Sequence, residues 1–153
     1  MKLLAATVFA MGMMLTAAVQ ADVALPPMAN PQGSPEMFGT WTVTKVLCSQ
    51  CKGRQPAEVG TEIILSGTAF TDPFSTTCAS DVAYPNRALS SPEAVKLFKL
   101  PKGAQKLLPA GGTVIDTRLN CGGGPYARVL FLGDDKAIYL FESVDFLIER
   151  KAH

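Results

Sequence analysis

The sequence predicts a mainly β fold with one short helix (α+β), in which a small antiparallel sheet or a partly closed barrel is stapled by disulfides. Three observations lead to this fold class. Short stretches rich in β-branched residues alternate between apolar and polar side chains and are separated by turn-forming residues. Only one segment, which begins at Ser91, combines the start signals, the apolar spacing and the stop signals of a helix. Four cysteines follow an apolar leader, a pattern typical of a disulfide-linked exported domain.

Residues 1–21 are predicted to be a secretory signal peptide. Lys2 supplies the positive charge, residues 3–19 are almost uninterrupted in their apolar character, and Val19 and Ala21 suit the −3 and −1 positions of a cleavage site. The apolar run is short for a membrane span and no basic stop-transfer cluster follows it. We therefore expect no membrane insertion after cleavage of the signal peptide.

The remaining chain is predicted to be a flexible arm followed by one domain. Residues 22–36 contain four prolines and no apolar period, which is typical of a flexible tether, and residues 37–151 have the size of a single β-rich domain. Loss of Lys2 with the leader leaves 13 basic and 13 acidic residues. This balance gives no electrostatic footprint for nucleic acid, so we expect no nucleic-acid partner.

The first half of the domain is predicted to contain short strands. In the stretch that holds Trp41, apolar side chains alternate with threonines, as in a strand with one buried face. The segment "DPFSTTC" that precedes Ala79 carries an aspartate–proline turn signal and is predicted to be a loop. The strands cover residues 37–47, 61–67 with an extension over 68–71, and 80–84.

One helix is predicted in the middle of the chain. Ser91 is placed as its N-cap, Pro92 suits the first helical position, and Glu93 is favourable near the positive end of the helix dipole. Apolar side chains follow at helical spacing, and Pro101 and Gly103 end the helix.

The last third of the chain is predicted to be β again. Alternating side chains and a "GDDK" hairpin signal bring the expected total to six or seven strands. The predicted strands cover residues 113–121, 127–132, 137–141 and 144–150.

The chain offers few catalytic groups. Its only histidine is His153, the last residue, and a terminal histidine lacks the fixed geometry that Ser-His or Cys-His catalysis and His-based metal sites need. Acidic residues on the strands, such as Asp116 and Asp145, are interpreted as surface charges. The sequence therefore predicts no catalytic residue, metal or cofactor, and a protein that is not an enzyme.

Cys48 and Cys51 form a C-x-x-C pair, which raises a redox and a metal hypothesis. A redox centre needs the first cysteine at a helix N-terminus, yet Cys48 follows a predicted strand. A structural zinc site needs a second closely spaced pair, yet Cys78 and Cys121 are isolated in the sequence. We therefore expect two disulfides. The preferred pairing is Cys48 with Cys51 and Cys78 with Cys121, and the alternative pairs Cys48 or Cys51 with the other two.

Gly39-Thr40-Trp41 at the start of the first strand and Arg150 at the end of the last form a second pattern. It resembles the G-x-W and late arginine of the lipocalin-like (calycin) β-barrel proteins. The resemblance implies that Arg150 packs over Trp41 near the closed end of a barrel, as a plug of its core, and that the mouth of the barrel binds a small apolar ligand. The alternative is an ordinary core tryptophan.

The first functional hypothesis is an exported, non-enzymatic envelope protein that acts as a protein-binding or inhibitor-type module. A lipocalin-like carrier of a small apolar ligand, a thiol-dependent redox protein that uses Cys48 and Cys51, and a structural envelope protein without ligand are the alternatives. The partner is thus an unknown protein or a small apolar molecule. The Met- and Ala-rich leader indicates a bacterial periplasm, with secretion into the extracellular space as the alternative.

Overall fold

The computed structural model describes residues 24–47, 57–133 and 135–152, and it confirms the predicted fold class. In these ranges, nine antiparallel strands form one sheet that curls into a half-barrel. The helical elements are a 3-10 turn (Pro35–Met37), α1 (Ser91–Phe98) and α2 (Lys102–Gln105). The strands are β1 (Gly39–Val46), β2 (Glu62–Leu65), β3 (Phe70–Thr71), β4 (Thr77–Cys78), β5 (Asn86–Ser90), β6 (Thr113–Cys121), β7 (Gly124–Gly133), β8 (Lys136–Phe141) and β9 (Val144–Arg150). No helix within the described ranges is long and apolar enough to cross a membrane.

The strand order is β4-β3-β2-β1-β9-β8-β7-β6-β5, so two meanders meet where the first strand pairs with the last. Trp41 lies opposite Arg150 in this central pair. The antiparallel order also defines two ends of the half-barrel. The Trp41 end holds the start of β1, the end of β9 and the β7–β8 turn, and the Phe74 end holds the β3–β4, β6–β7 and β8–β9 turns.

The concave face of the sheet carries the main core, which we call the inner cluster. Large side chains from almost every strand meet there because alternate residues of a strand point to the same face. Its bulkiest members are Trp41, Ile63, Leu65, Phe70, Tyr84, Leu119, Tyr139 and Phe146. The convex face of β5 to β9 is covered by α1 and α2, which bury a second set of apolar side chains: Leu89, Val114, Leu130, Ile138 and Leu147.

The open seam of the half-barrel is spanned by a disulfide and a tyrosine. Cys78 in edge strand β4 is bonded to Cys121 at the end of β6, with their Cα atoms 5.9 Å apart. Tyr84, which is fully buried, donates its hydroxyl to the carbonyl oxygens of Ser66 (2.7 Å) and Ala69 (3.0 Å) in the β2–β3 turn. These contacts connect the two meanders on the side where the sheet does not close.

The predicted helix is present, but it begins one residue earlier than the sequence indicates. Ser90 is its N-cap: the hydroxyl of Ser90 accepts from the Glu93 N–H, and the Glu93 carboxylate accepts from the Ser90 N–H at 2.7 Å. The prediction of Ser91 as the cap was wrong because Ser91 instead donates its hydroxyl to the Pro109 carbonyl (2.7 Å). The helix ends at Phe98, since Lys99 adopts a left-handed conformation.

Within the described residues, nine strands replace the six or seven predicted. The predicted strand over residues 80–84 is absent, apart from one bridge between Ala83 and Asn120, because Asp81 has a left-handed φ of +47° that interrupts the extended chain. β5 follows Pro85 in the short polar stretch "NRALS", where only Leu89 is fully buried. β4 lies in the predicted loop and has only two residues, too few to show an alternating pattern.

The predicted flexible arm makes specific contacts over its described part. Ala29 pairs with Asn86 at the edge of β5, and the Pro31 carbonyl accepts from the Tyr84 N–H at 2.6 Å. Prolines lack a donor but retain a carbonyl acceptor, so a proline-rich segment can still bind along a strand edge. Met37 then enters the inner cluster at the Trp41 end. In this part of the chain, the arm packs on the domain instead of extending away from it.

Candidate functional site

Trp41 and Arg150 form a tight contact at one end of the half-barrel. The guanidinium carbon of Arg150 lies 4.3 Å from the ring centroid of Trp41, which is 2% exposed. Arg150 Nη1 donates to the Phe38 carbonyl (2.8 Å), Nη2 donates to the Glu36 carbonyl, and Nε donates to Asp135 Oδ1 (2.7 Å). The arginine therefore ties the 3-10 turn and the start of β8 to the tryptophan ring by cation–π and charge-assisted contacts.

Gly39 is required by this arrangement. Its φ is +130°, and a Cβ atom there would lie 3.0 Å from Arg150 Nη1. The Trp41 Nε1–H donates to the Met37 carbonyl (3.0 Å), which fixes the indole in the core. The contact between Arg150 and Trp41 thus depends on a glycine at position 39. The lipocalin-like resemblance itself stays a prediction.

The four predicted disulfide cysteines have different outcomes. Cys78 and Cys121 are bonded, as the preferred pairing predicted, and Cys78 is 3% exposed within the inner cluster. Cys48 and Cys51 lie outside the described residues, so their pairing and the thiol hypothesis stay predictions. The closed 78–121 crosslink constrains the unfolded chain and holds the seam of the half-barrel.

The β3–β4 loop at the other end of the half-barrel was not singled out from the sequence. Asp72 is 1% exposed, and its Oδ1 accepts the backbone N–H groups of Phe74 (2.9 Å) and Thr76 (2.7 Å). Its second carboxylate oxygen accepts the Tyr126 hydroxyl. An aspartate that accepts successive backbone donors holds a loop in one conformation. The aspartate–proline turn signal indicated the loop, but not the burial of its carboxylate.

Phe74 stands on this fixed loop and is 41% exposed. Its ring lies 5.1 Å from that of Phe141 and 6.0 Å from that of Phe146, so the side chain is supported from below while part of it faces solvent. The β6–β7 turn (122–123) and the β8–β9 turn (142–143) lie at the same end of the sheet. The loops and Phe74 together form what we call the Phe74 surface.

Beneath the Phe74 surface, a half-buried tyrosine, Tyr126, and a fully buried one, Tyr139, lie near the Asp72 carboxylate. Burial, reinforced by the hydrogen bond to Asp72, raises the pKa of Tyr126 to about 12. Burial also raises the pKa of Tyr139, and the negative charge of Asp72 adds to this effect. Within the described part of the chain, the Tyr139 hydroxyl has no hydrogen-bond partner. These phenols therefore remain protonated at physiological pH.

The acidic residues interpreted as surface charges behave differently from one another. Asp116 is fully buried on the convex side and accepts from Arg87 Nε (2.9 Å) and from Arg128 Nη1 (2.7 and 2.8 Å), so its interpretation as a surface charge was wrong. Arg128 also lies over the Phe98 ring of α1 at 5.0 Å. Burial raises the pKa of Asp145. Asp116 is engaged by two arginines and is thus a structural ion pair.

Across residues 24–47, 57–133 and 135–152, no group of three or more His, Cys, Asp or Glu side chains is arranged to hold a metal ion. Comparison with known protein families, with curated proteins and with solved structures gives no match. The class of protein is therefore defined by its own geometry, as a disulfide-linked, curled antiparallel half-barrel with a rigid aromatic surface at one end.

Proposed function

We propose that this chain is an exported, non-enzymatic module that binds a protein partner through the Phe74 surface. The observation that carries the proposal is the preorganised loop: buried Asp72 holds the backbone of Phe74 and Thr76 before any partner arrives. A fixed loop loses little conformational entropy on binding, and aromatic residues, phenylalanine among them, are enriched in the buried core of protein interfaces.

The dense packing of the concave face favours the protein-binding proposal over the alternative of a carrier for long apolar molecules. Fully buried side chains, among them Val43, Val129, Tyr139 and Ile148, fill the space in which a long ligand would lie. A small cavity beside Trp41, described below, lies at the end of the half-barrel that the lipocalin-like resemblance implies is closed, so it does not supply the barrel mouth of the carrier alternative. Periplasmic or secreted localisation and the thiol alternative with Cys48 and Cys51 stay predictions.

The experiment compares three proteins as bait in envelope extracts: wild type, Phe74→Ala and Ile64→Ala. Ile64 is a matched control because it is 45% exposed but lies on the outward face of β2, opposite to the face whose inner cluster supports Phe74. We expect quantitative mass spectrometry to show a protein that is enriched by wild type and by Ile64→Ala, and depleted with Phe74→Ala. The purified pair should then bind about tenfold or more weakly after Phe74→Ala, as at an interface hot spot.

Two results would contradict the proposal. One is that wild type enriches no protein over an unrelated β-sheet bait, and the other is that Phe74→Ala binds the enriched protein as tightly as Ile64→Ala does. Urea unfolding of each variant confirms that the comparison is made between folded proteins.

A further inference from the structure

A cavity of about 210 Å³ lies beside Trp41, at the end of the half-barrel opposite Phe74. Its inner walls are Met37, Trp41, Ile115, Thr117 and Phe131. The rings of Trp41 and Phe131 are 5.4 Å apart and form one side of it. Ile115 is 38% exposed, so the cavity is not sealed from solvent. The site is therefore an accessible, mostly apolar space that contains the only tryptophan of the chain.

One wall of the cavity carries a polar group that the surrounding fold does not satisfy. Thr117 is 1% exposed, and its hydroxyl has no hydrogen-bond partner among the residues described. Buried hydroxyl groups in native proteins nearly always have a partner, so an unpaired one beside a cavity points to a group that enters from outside. A molecule in the cavity with one donor or acceptor would supply that partner.

The rim of the cavity has no net charge. Glu36 and Asp135 are acidic, whereas Lys136 and Arg150 are basic. Arg150 is already engaged by two backbone carbonyls and by Asp135, and Lys136 lies 3.8 Å from Glu149. The Glu36 carboxylate is exposed to solvent, and the two acidic and two basic groups balance, so the rim favours neither an anionic nor a cationic ligand.

We propose that this cavity binds an uncharged, ring-sized apolar molecule that carries one hydrogen-bonding group, which pairs with Thr117. The size follows from the volume: an apolar cavity of about 150 Å³ accepts benzene, and drug-sized ligands occupy pockets of about 300 Å³ or more. The site lies at the end that the lipocalin-like resemblance implies is closed, so it differs from the barrel mouth of the carrier alternative. It is independent of the Phe74 surface.

The test uses the full protein with spectroscopically silent probes: cyclohexanol, cyclohexane and, as a long ligand, palmitate. Binding is followed by Trp41 fluorescence and by calorimetry in wild type, Ile115→Phe and the control Ile64→Phe, which makes the same change on the outer face of β2. We expect cyclohexanol to bind wild type and Ile64→Phe equally, and Ile115→Phe about tenfold or more weakly, because the added ring occupies the cavity. Palmitate should not bind.

Thr117→Val tests the hydrogen-bonding part of the proposal without a change in side-chain shape. The ratio of cyclohexanol to cyclohexane affinity should fall about fivefold in this variant, as expected for the loss of one hydrogen bond. Absence of cyclohexanol binding to wild type up to its solubility limit, or equal binding to Ile115→Phe, would overturn the ligand site. An unchanged ratio in Thr117→Val would overturn the assignment of Thr117 as the ligand's partner.

Discussion

Replacement of Tyr139 by phenylalanine should leave the stability of the protein unchanged or raise it, whereas the same replacement of Tyr84 should lower it. Both side chains are fully buried in the inner cluster, so the two substitutions remove the same atom from similar surroundings. The difference lies in the hydrogen bonds. The Tyr84 hydroxyl donates to the β2–β3 turn, and the Tyr139 hydroxyl has no partner within the described residues.

The expected magnitudes follow from these contacts. Tyr84→Phe removes the donor that serves the carbonyls of Ser66 and Ala69, and loss of one partner of a buried hydrogen bond costs about 1–3 kcal/mol. Tyr139→Phe removes a buried hydroxyl that is already unpaired, so the free energy of unfolding should change by about 0 to +1 kcal/mol in favour of the folded state.

Urea unfolding at neutral pH, with the Cys78–Cys121 disulfide intact, measures both changes. Trp41 is the only tryptophan and is 2% exposed, so its fluorescence reports the opening of the core. If the unfolding free energy falls with urea concentration at the same slope in all three proteins, their extrapolated unfolding free energies can be compared directly. If Tyr139→Phe is destabilised as much as Tyr84→Phe, the Tyr139 hydroxyl has a partner and the reasoning is refuted.

The tyrosines also predict a loss of stability at alkaline pH. Burial raises the pKa of Tyr84 from 10.0 to about 12. When the pKa of a phenol is higher in the folded than in the unfolded protein, its contribution to stability is complete below the pKa in the unfolded protein, which is near 10. This contribution is lost as the pH rises towards the pKa in the folded protein. Stability should therefore fall between pH 10 and about 12, less steeply in Tyr84→Phe, and an equal slope in both proteins would contradict this assignment.

Three further predictions concern the seam, the first strand and the helix. The double substitution Cys78→Ala and Cys121→Ala should lower the free energy of unfolding by about 2–4 kcal/mol, because the crosslink closes a loop with a sequence separation of 43; an unchanged urea midpoint would contradict this. Gly39→Ala should be destabilised by about 1–3 kcal/mol, because Gly39 has a positive φ and an added Cβ would contact Arg150. In the same assay, Gly67→Ala should be within about 1 kcal/mol of wild type, because its Cβ would meet nothing within 4 Å. Ser90→Ala should lower stability by about 1 kcal/mol through loss of the helix cap, and a larger effect of Ser91→Ala on the helical circular dichroism would contradict the assignment of Ser90 as the cap.

Some local features of the fold could be predicted from residues that are close in sequence. The alternation around Trp41 predicts β1, and the Ser-Pro-Glu signal predicts α1 to within one residue. The alternation fails after Val43, because a bulge between Val43 and Lys45 turns Val46 to the inner cluster and leaves Lys45 exposed. A bulge depends on how two strands pair, so no pattern within one strand reveals it.

The candidate site was predictable only in part, for the same reason. The preferred pairing of Cys78 with Cys121 is confirmed, although spacing alone left the alternative open. Phe74 was not singled out, because its support comes from Asp72 and from rings that lie about 70 residues further along the chain. Asp116 resembles any other strand-surface acid until the arginines of two neighbouring strands are placed beside it.

The sequence by itself determined the strand around Trp41, the strands of the last third of the chain and the start of the helix to within one residue, and it showed that an even number of cysteines is available for crosslinks. These properties follow from local backbone preference and side-chain periodicity, which act over a few residues. Only the tertiary structure decided that the first and last strands meet at the centre of the sheet, that the Asp72 loop presents Phe74, and that a cavity lies beside Trp41. Each of these depends on side chains brought together from distant parts of the chain, whose packing is a property of the whole half-barrel.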